Sequence, residues 1–449
     1  MDTIQSLIKK EEIRQRETLS MIPSENITYP EVLKAVGSVL MQKYSEGQPG
    51  KRYYQGNEFI DEIELLTKIN ALELFHLTPD KWAVNVQALS GAPANLAIYN
   101  ALLNPGDKIL SLYLPDGGHL SHGWHIGDRK VTLISKIYDV DFYHVTMASS
   151  AYNDQQINGL IDYDALEKKT LEFKPKIIVS GGTAYPREID HKRIGEITKK
   201  AGSYYLADVS HEAGLIAAGV NADPFPYADV VMMTTHKTLR GPRGALIFSR
   251  IDLANAIDSS VFPGLQGGPH NEIIAGIGIA LQKDNSEEFK KYARQVVDNA
   301  KELAQKLMDL GLTLITNGTD KHLILIDLRP LEINSWFVAY ALEKAGIIVN
   351  RNAISPDGIS PRAIFYPSGI RIGTPAITAR GMGKYEIDQI ADWIMDVINH
   401  LEKIELPEDV AQRKVVLKEF QEKIDKDQFI KNINKEVKNL CEKFPLNIS

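Results

Sequence analysis

The chain has 449 residues, 44% of them hydrophobic and 24% charged, the composition of a globular protein long enough for a large domain and a smaller one. A net charge of −7 argues against binding that works by neutralising nucleic-acid phosphate, and no apolar run approaches the ~20 residues of a membrane helix. Cys441 is the only cysteine, which excludes an intrachain disulfide and a cysteine metal site and suits a reducing cytoplasm.

Residues 1–28 read as an N-terminal arm, with Ile4, Leu7, Ile8, Ile13 and Leu19 at helical spacing. Its start, Met1-Asp2-Thr3 and then Lys9-Lys10-Glu11-Glu12, has neither the basic start nor the apolar centre of a signal peptide, and a cytoplasmic protein is expected. A large domain is expected over 29–285. It opens with a helix from Tyr29 through Leu40, after which Glu46-Gly47-Gln48-Pro49-Gly50 forms a loop that delivers Tyr53 and Tyr54. Trp82 to Val86 predicts a strand. Ser90-Gly91-Ala92-Pro93-Ala94-Asn95 then opens a helix whose small residues let exposed N–H groups approach an anion, although such a turn is also a routine cap.

Lys108 to Leu112 predicts the next strand, followed by Gly117-Gly118-His119-Leu120. His119, His122 and His125 fall three apart, but no carboxylate or cysteine accompanies them in a zinc pattern, so no metal is expected. After an uninformative stretch from Lys130 to Leu171 come a strand at Lys176 to Ser180, a helix from Arg187 to Ala201, and a strand at Tyr204 to Ala207 that ends in Asp208-Val209-Ser210-His211. This rhythm predicts a parallel sheet flanked by helices.

Val230 to Met233 and Ala245 to Phe248 read as two strands of that sheet, joined by the loop from Thr234 to Gly244. Lys237 in this loop is held at a sheet edge beside apolar walls, where an amine loses hydration and becomes a neutral nucleophile for an aldehyde. Asp208 puts a carboxylate at the carboxyl end of a neighbouring strand, the crevice where open α/β sheets bind ligands. A lysine imine with a strand-end carboxylate is the pair that uses pyridoxal phosphate, because the carboxylate keeps the pyridine nitrogen protonated. The helix start at Ser90 is the expected phosphate cup.

Past the loop, Phe262 to Pro269 is too rich in glycine for packed helix. Glu272 to Lys283 and Phe289 to Gly311 predict two helices, the second leading to a small C-terminal domain over 286–449. That domain shows strands at Leu323 to Leu328 and Ile347 to Asn350, a helix from Ser335 to Ala345, and solvated helices in Pro407 to Ser449. In it, Ser368-Gly369-Ile370-Arg371 presents a planar fork suited to a substrate carboxylate.

Together, Asp208-Val209-Ser210-His211, Thr234-Thr235-His236-Lys237-Thr238 and Gly241-Pro242-Arg243-Gly244 resemble serine hydroxymethyltransferase, a fold-type I pyridoxal-phosphate enzyme. Further matches lie in Ser24-Glu25-Asn26, Tyr44-Ser45-Glu46-Gly47 through Tyr54, Gly117-Gly118-His119-Leu120, Gln266-Gly267-Gly268-Pro269 and Ser368-Gly369-Ile370-Arg371. The resemblance implies an α/β fold like that of aspartate aminotransferase, with a mostly parallel central sheet flanked by helices and a smaller α+β C-terminal domain. It implies interconversion of serine and glycine, with pyridoxal 5'-phosphate covalent on Lys237 and tetrahydrofolate, or a related pterin, as cosubstrate. Lys237, Glu46, Tyr54, His236 and Thr234 become the catalytic residues. The cofactor falls to Ser90, Gly91, Ala92, His119 over the ring, Thr183 near the phenolic oxygen, Asp208, His211 and Gly268. Ser24, Tyr44, Glu46, Tyr54 and Arg371 are implied for the amino acid, and Leu114, Gly118, Leu120 and Asn352 for the pterin. Tyr44, Glu46, Tyr54 and Gly268 cross between subunits in that family, so an obligate homodimer with shared active sites is implied, with tetramers left open.

The chain departs from the family at Ala92, where serine is usual and one hydroxyl donor to phosphate is lost. It departs again in Ser360 to Tyr366, beside the aminobenzoyl part of the folate. Two rival readings stand beside this one: a pterin-independent aldolase for 3-hydroxy amino acids, and a scaffold that keeps the fold without the chemistry.

Overall fold

Seven strands form the central sheet of the computed structural model, which describes residues 3–146, 159–355, 357 and 365–446. They are β1 (Trp82–Asn85), β2 (Lys108–Leu112), β3 (Asp139–Tyr143), β4 (Ile177–Ser180), β5 (Tyr204–Asp208), β6 (Val230–Thr234) and β7 (Ala245–Arg250), in the order β1-β7-β6-β5-β4-β2-β3. Every neighbouring pair is parallel except those made by β7, which runs antiparallel to both β6 and β1. The sheet is thus the mostly parallel one expected. Its central strands are near-continuous apolar runs because helices cover both faces, and Ile177, Ile178, Val179, Val230, Val231 and Met233 are all fully buried.

Since β7 is the one reversed strand, the other six end at a single edge. That edge receives Ser90 after β1, His119 after β2, Thr183 after β4, Asp208 at the end of β5 and Lys237 after β6. The register sets Asp208 opposite Met232, two residues before the loop that carries the lysine.

Several elements differ from the sequence reading. The expected helix from Arg187 begins only at His191, because Asp190 caps it by accepting from the Arg193 N–H at 2.8 Å. The helix from Tyr29 stops at Val36, and Val39–Gln42 follows as a separate 3-10 turn started by Ser38. Strand β3 falls in the stretch that gave no signal, where buried Val140 and Phe142 alternate with more exposed Asp139 and Asp141. The single strand expected at Ile347 to Asn350 is two short pieces: Ile347–Ile348 pairs in parallel with Leu19–Ser20, and Asn350–Asn352 joins another sheet.

The chain divides into two compact units. Residues 28–294 hold the seven-stranded sheet. The other unit combines the chain up to Ile27 with the chain from Gln295 onward, around a four-stranded antiparallel sheet ordered Thr313–Leu314, Leu323–Asp327, Gly369–Gly373, Asn350–Asn352. Its core includes Ile324, Ile326, Phe337, Ile370 and Ile372, together with Leu19 and Met21. The helices Val410–Ile424 and Gln428–Lys443 add Phe420, Ile430 and Val437 to that core.

Candidate active site

Glycines bring the strand ends close. Gly181, at φ 104°, lies in the left-handed region, and a Cβ there would fall inside the envelope of the Asp208 carbonyl oxygen. A Cβ at Gly182 would likewise strike the Gly117 carbonyl oxygen. Thr183 fastens the same two loops, its N–H donating to the Gly117 carbonyl at 2.7 Å and its hydroxyl to the Gly118 carbonyl at 2.9 Å. Backbone contact together with the Thr183 hydroxyl therefore sets the spacing of His119, Thr183 and Asp208.

Asp208, 7% exposed, is the polar centre of this edge. One carboxylate oxygen accepts from the Ser210 N–H at 3.1 Å and the Ser210 hydroxyl at 2.6 Å. The other accepts from Asn95 Nδ2 and His122 Nε2, both at 2.9 Å. Burial alone would raise the carboxyl, but the hydrogen bond and charge of His122, the charge of His119 and the Ser210 hydroxyl outweigh it and hold Asp208 well below the usual carboxylate range. Asn95 also donates to Ser121 at 2.8 Å, and Ser121 sits 2.7 Å from His119 Nδ1 while its N–H donates to that nitrogen at 3.1 Å. The carboxylate and the His119 ring thus belong to one network. His125 bonds instead to the backbone carbonyls of Gly127 and Val140.

The lysine loop is tied to the same carboxylate. The Thr234 N–H donates at 3.2 Å to the Ser210 hydroxyl, which in turn donates to Asp208. Thr238 donates to the His211 carbonyl at 3.0 Å and accepts from the Gly214 N–H at 2.9 Å, and so holds His211 beside the loop. Lys237 is half-buried between these anchors. Its neighbour His236 is pushed down to about 3 by burial and by the charges of Lys237 and Arg243, so its imidazole is neutral at physiological pH. Opposite, the helix Gly91–Leu102 begins at Ser90 with no side-chain cap, and a Cβ on Gly91 would lie 2.7 Å from Thr234 Cγ2. The first-turn N–H groups, including that of exposed Ala92, have no partner within the helix, which is the usual anion-attracting arrangement.

A second cluster gathers Tyr44, Glu46, Tyr54, Gly267 and Gly268. The two tyrosine rings meet edge to face at 5.5 Å, and the charge of Glu46, which also accepts a hydrogen bond from Tyr54, pushes the Tyr54 phenol up. A Cβ on Gly268 would lie 3.0 Å from the Tyr44 ring, and one on Gly267 would lie 3.5 Å from Glu46 Oε1. Beneath them, buried Arg52 grips the chain on either side of Glu46, donating to the carbonyls of Ser45 at 2.8 Å and Gly47 at 2.6 Å. Its remaining bonds go to Asp61 at 2.8 Å and Glu64 at 2.7 Å. Leu114 is half-buried, Gly118 buried and Leu120 51% exposed on the loop that follows β2.

Arg371, Asn352 and Ser24 belong to the other unit. Arg371 stands in the strand Gly369–Gly373 opposite Asn350, whose side chain accepts from its Nε at 3.1 Å. Burial pushes the guanidinium down to about 10, which leaves it cationic at neutral pH. Asn352 donates to the Ala353 carbonyl at 2.7 Å, and Ser24 is half-buried. Of the departure at 360–366, residues 360–364 lie outside the described residues.

Sequence reasoning missed Asn95, Ser121, His122 and Ser210 as the partners of Asp208 and His119. One signal was available for Asn95, four residues after Gly91 and hence on the same helix face as the uncapped start. Another was His122, whose spacing from His119 suggested metal ligation when its partner is a carboxylate.

Over residues 1–394 the chain matches the family model described as serine hydroxymethyltransferase. It is 44% identical to "Serine hydroxymethyltransferase, cytosolic" of Saccharomyces cerevisiae, an alignment that covers 99% of this chain and 95% of the relative. It is 42% identical to "Serine hydroxymethyltransferase 3, chloroplastic" of Arabidopsis thaliana, over 99% of this chain and 83% of the relative. To the "Serine hydroxymethyltransferase" of Caenorhabditis elegans it is 46% identical, over 88% and 78% respectively.

Proposed function

The chain belongs to the serine hydroxymethyltransferase family, and from that premise we propose that the cluster around Asp208 and Lys237 carries its interconversion of serine and glycine. Pyridoxal 5'-phosphate is the cofactor and tetrahydrofolate the one-carbon acceptor of this fold-type I enzyme.

The residues present fit the cofactor. A buried carboxylate with four donors suits a protonated pyridine nitrogen, and the uncapped start of the helix Gly91–Leu102 suits a phosphate. Bound there, the cofactor supplies an electron sink for the pair released when the Cα–Cβ bond of serine breaks. Asp208 holds the proton on the ring nitrogen, with His122, Asn95 and Ser210 fixing its charge and direction. Lys237 would supply the amine, and His119 would help hold the ring. Neutral His236 leaves the lysine without a second titrating cation beside it. Thr183 and Thr234 hold the flanking loops. Ser90, Gly91 and Ala92 offer N–H groups to the phosphate, and His211 lines the cofactor side of the loop.

Arg371, whose planar guanidinium suits a carboxylate, takes that of the amino acid, with Ser24 and Tyr44 also on the substrate. Glu46 and Tyr54 share the proton of the serine hydroxyl, which the hydrogen bond between them equips them to pass. Leu114, Gly118, Leu120 and Asn352 form the pterin side. Gly268 and the Tyr44–Glu46–Tyr54 cluster serve the cofactor and substrate of a second copy of the chain. Val39 (76% exposed), Met41, Tyr53, Phe59 (69%), Leu65 and Leu66 are exposed apolar side chains that such a homodimer would cover. A cytoplasmic site of action is supported by relatives named cytosolic, and among the described residues no helix is long and apolar enough to cross a membrane.

The observation that carries this reading is the ionised, four-donor Asp208 one strand away from Lys237. The test is cleavage of serine by the full-length protein loaded with pyridoxal phosphate, with and without tetrahydrofolate. Glycine formation is expected to require the pterin and to vanish in Lys237→Ala. Equal rates with and without the pterin would replace the transferase with an aldolase.

A further inference from the structure

We propose that Arg240 is a positioning residue for Lys237, locking the lysine loop onto the first and last stretches of the unit that carries the central sheet. The inference rests on Lys237 being the cofactor lysine.

The loop closes on itself around the lysine. The Arg240 N–H donates to the Lys237 carbonyl at 3.1 Å, and the Gly241 N–H donates to the Thr235 carbonyl at 2.8 Å. Closure requires Arg240 to adopt φ 53°, the left-handed region that a long side chain rarely enters. Side-chain contacts hold it there. The guanidinium lies 4.4 Å from the centre of the Tyr29 ring and 4.9 Å from that of Tyr292, and the Arg240 carbonyl accepts from the Thr28 hydroxyl at 2.6 Å. The Tyr29 hydroxyl is anchored in turn, donating at 2.7 Å to Asp284, which is 1% exposed.

These partners have a common position in the chain. Thr28 is where the chain enters the unit, and Tyr292 stands two residues before Arg294, where it leaves. Arg240 therefore joins the lysine loop to both passages, which no hydrogen bond of the sheet itself does for this loop. A planar, weakly hydrated cation between two aromatic rings is the interaction that arginine makes and lysine makes poorly.

The experiment uses the full chain and pyridoxal 5'-phosphate. It measures the rate at which the absorbance of lysine-bound cofactor appears, the fraction of Lys237 trapped by borohydride, kcat and KM for serine, and the Tm of the cofactor-free protein. Tyr29→Leu, which loses one cation–π contact, is expected to slow adduct formation by roughly tenfold, and Arg240→Ala and Arg240→Lys, which lose or weaken both, by at least that much. They are expected to lower kcat while KM for serine stays within about twofold. Tyr29→Phe, which keeps the ring but removes its anchor on Asp284, is expected to give an adduct rate between those of the parent and Tyr29→Leu. If Arg240→Ala and Tyr29→Leu lower Tm but leave adduct rate, trapped fraction and kcat at parental values, Arg240 is merely structural and the proposal is overturned. Lys237→Gln separates this from failure of the underlying reading: adduct absorbance that survives there would mean that a different lysine holds the cofactor.

Discussion

His122→Phe is expected to weaken cofactor binding without much effect on folding, and the structure explains why the two separate. The side chain is 1% exposed and donates from Nε2 to Asp208 at 2.9 Å, while its Nδ1 has no hydrogen-bond partner among the described residues. Losing a hydrogen bond to an ionised group costs about 1.5–3 kcal/mol, whereas removing a buried unpaired polar atom returns about 1–3 kcal/mol. Phenylalanine keeps the ring volume, so the two terms nearly cancel in folding, to within about 1 kcal/mol. They do not cancel at Asp208, which loses a donor and a source of positive potential and gains nothing. A loss of about 2 kcal/mol there is roughly thirtyfold in the dissociation constant for pyridoxal phosphate. The sign with pH follows from an acid whose folded value is depressed: its ionised form is lost as pH falls, and sooner once a stabilising partner is gone, so the defect deepens toward acid. Titration of the cofactor-free variant with pyridoxal phosphate at two pH values, beside a melting curve, checks both halves. A dissociation constant within about twofold of the parent, or a loss of stability as large as the loss of affinity, would refute the assignment of His122 to Asp208.

His236 sits at about 3 against an ordinary value near 6.5, so the unfolded chain binds the extra proton between those limits and stability falls as pH is lowered through them. His236→Gln should flatten the decline of Tm between pH 6.5 and 4.5, and parallel curves would count against a desolvated imidazole. Arg52→Met leaves Glu64, whose side chain is 1% exposed, with only Lys68 at 3.1 Å and Gln87 at 3.0 Å, and should cost about 1.5–3 kcal/mol by denaturant unfolding, the size of a lost hydrogen bond to a charged group. A single variant within about 1 kcal/mol of the parent would show that the pair is not desolvated. Arg371→Lys replaces a planar fork with a point charge and should raise KM for serine by about 10- to 100-fold, and an unchanged KM would move the carboxylate site elsewhere.

The fold was legible where the sheet is buried on both faces. Val230 to Met233 and Ile177 to Val179 have few alternatives to strand, and the turns after them fix the edge on which Asp208 and Lys237 meet. The signal failed where structure depends on a partner distant in sequence. Strand β3 has only a half-polar pattern and is fixed by its pairing with β2, and Ile347–Ile348 pairs with Leu19–Ser20 more than 300 residues away. Candidate residues stood out where a residue type with few bland uses sits in a distinctive motif, as Lys237 and Arg371 do. Ser121, Ser210 and Asn95 did not stand out, because their residue types are common in turns and helices and their value comes only from the atoms they face.

The two polar clusters are stiffened by different means, and this bears on how each tolerates change. At the strand edge Gly181 and Gly182 pack backbone against backbone and admit no side chain, so no rotamer change relieves the contact that spaces Asp208 and Thr183. Substitutions of the polar side chains there should alter charge and hydrogen bonding while leaving positions almost fixed. The loop that bears Glu46 is instead held by one guanidinium gripping the carbonyls on both sides of it, through an ion pair that is itself buried. Its geometry depends on electrostatics, so the same class of substitution at Arg52 moves Glu46 as well as changing the local charge. A strand edge held by packing should therefore keep its geometry under polar substitution, whereas the Glu46 loop, held by charge, should shift when its ion pairs are altered.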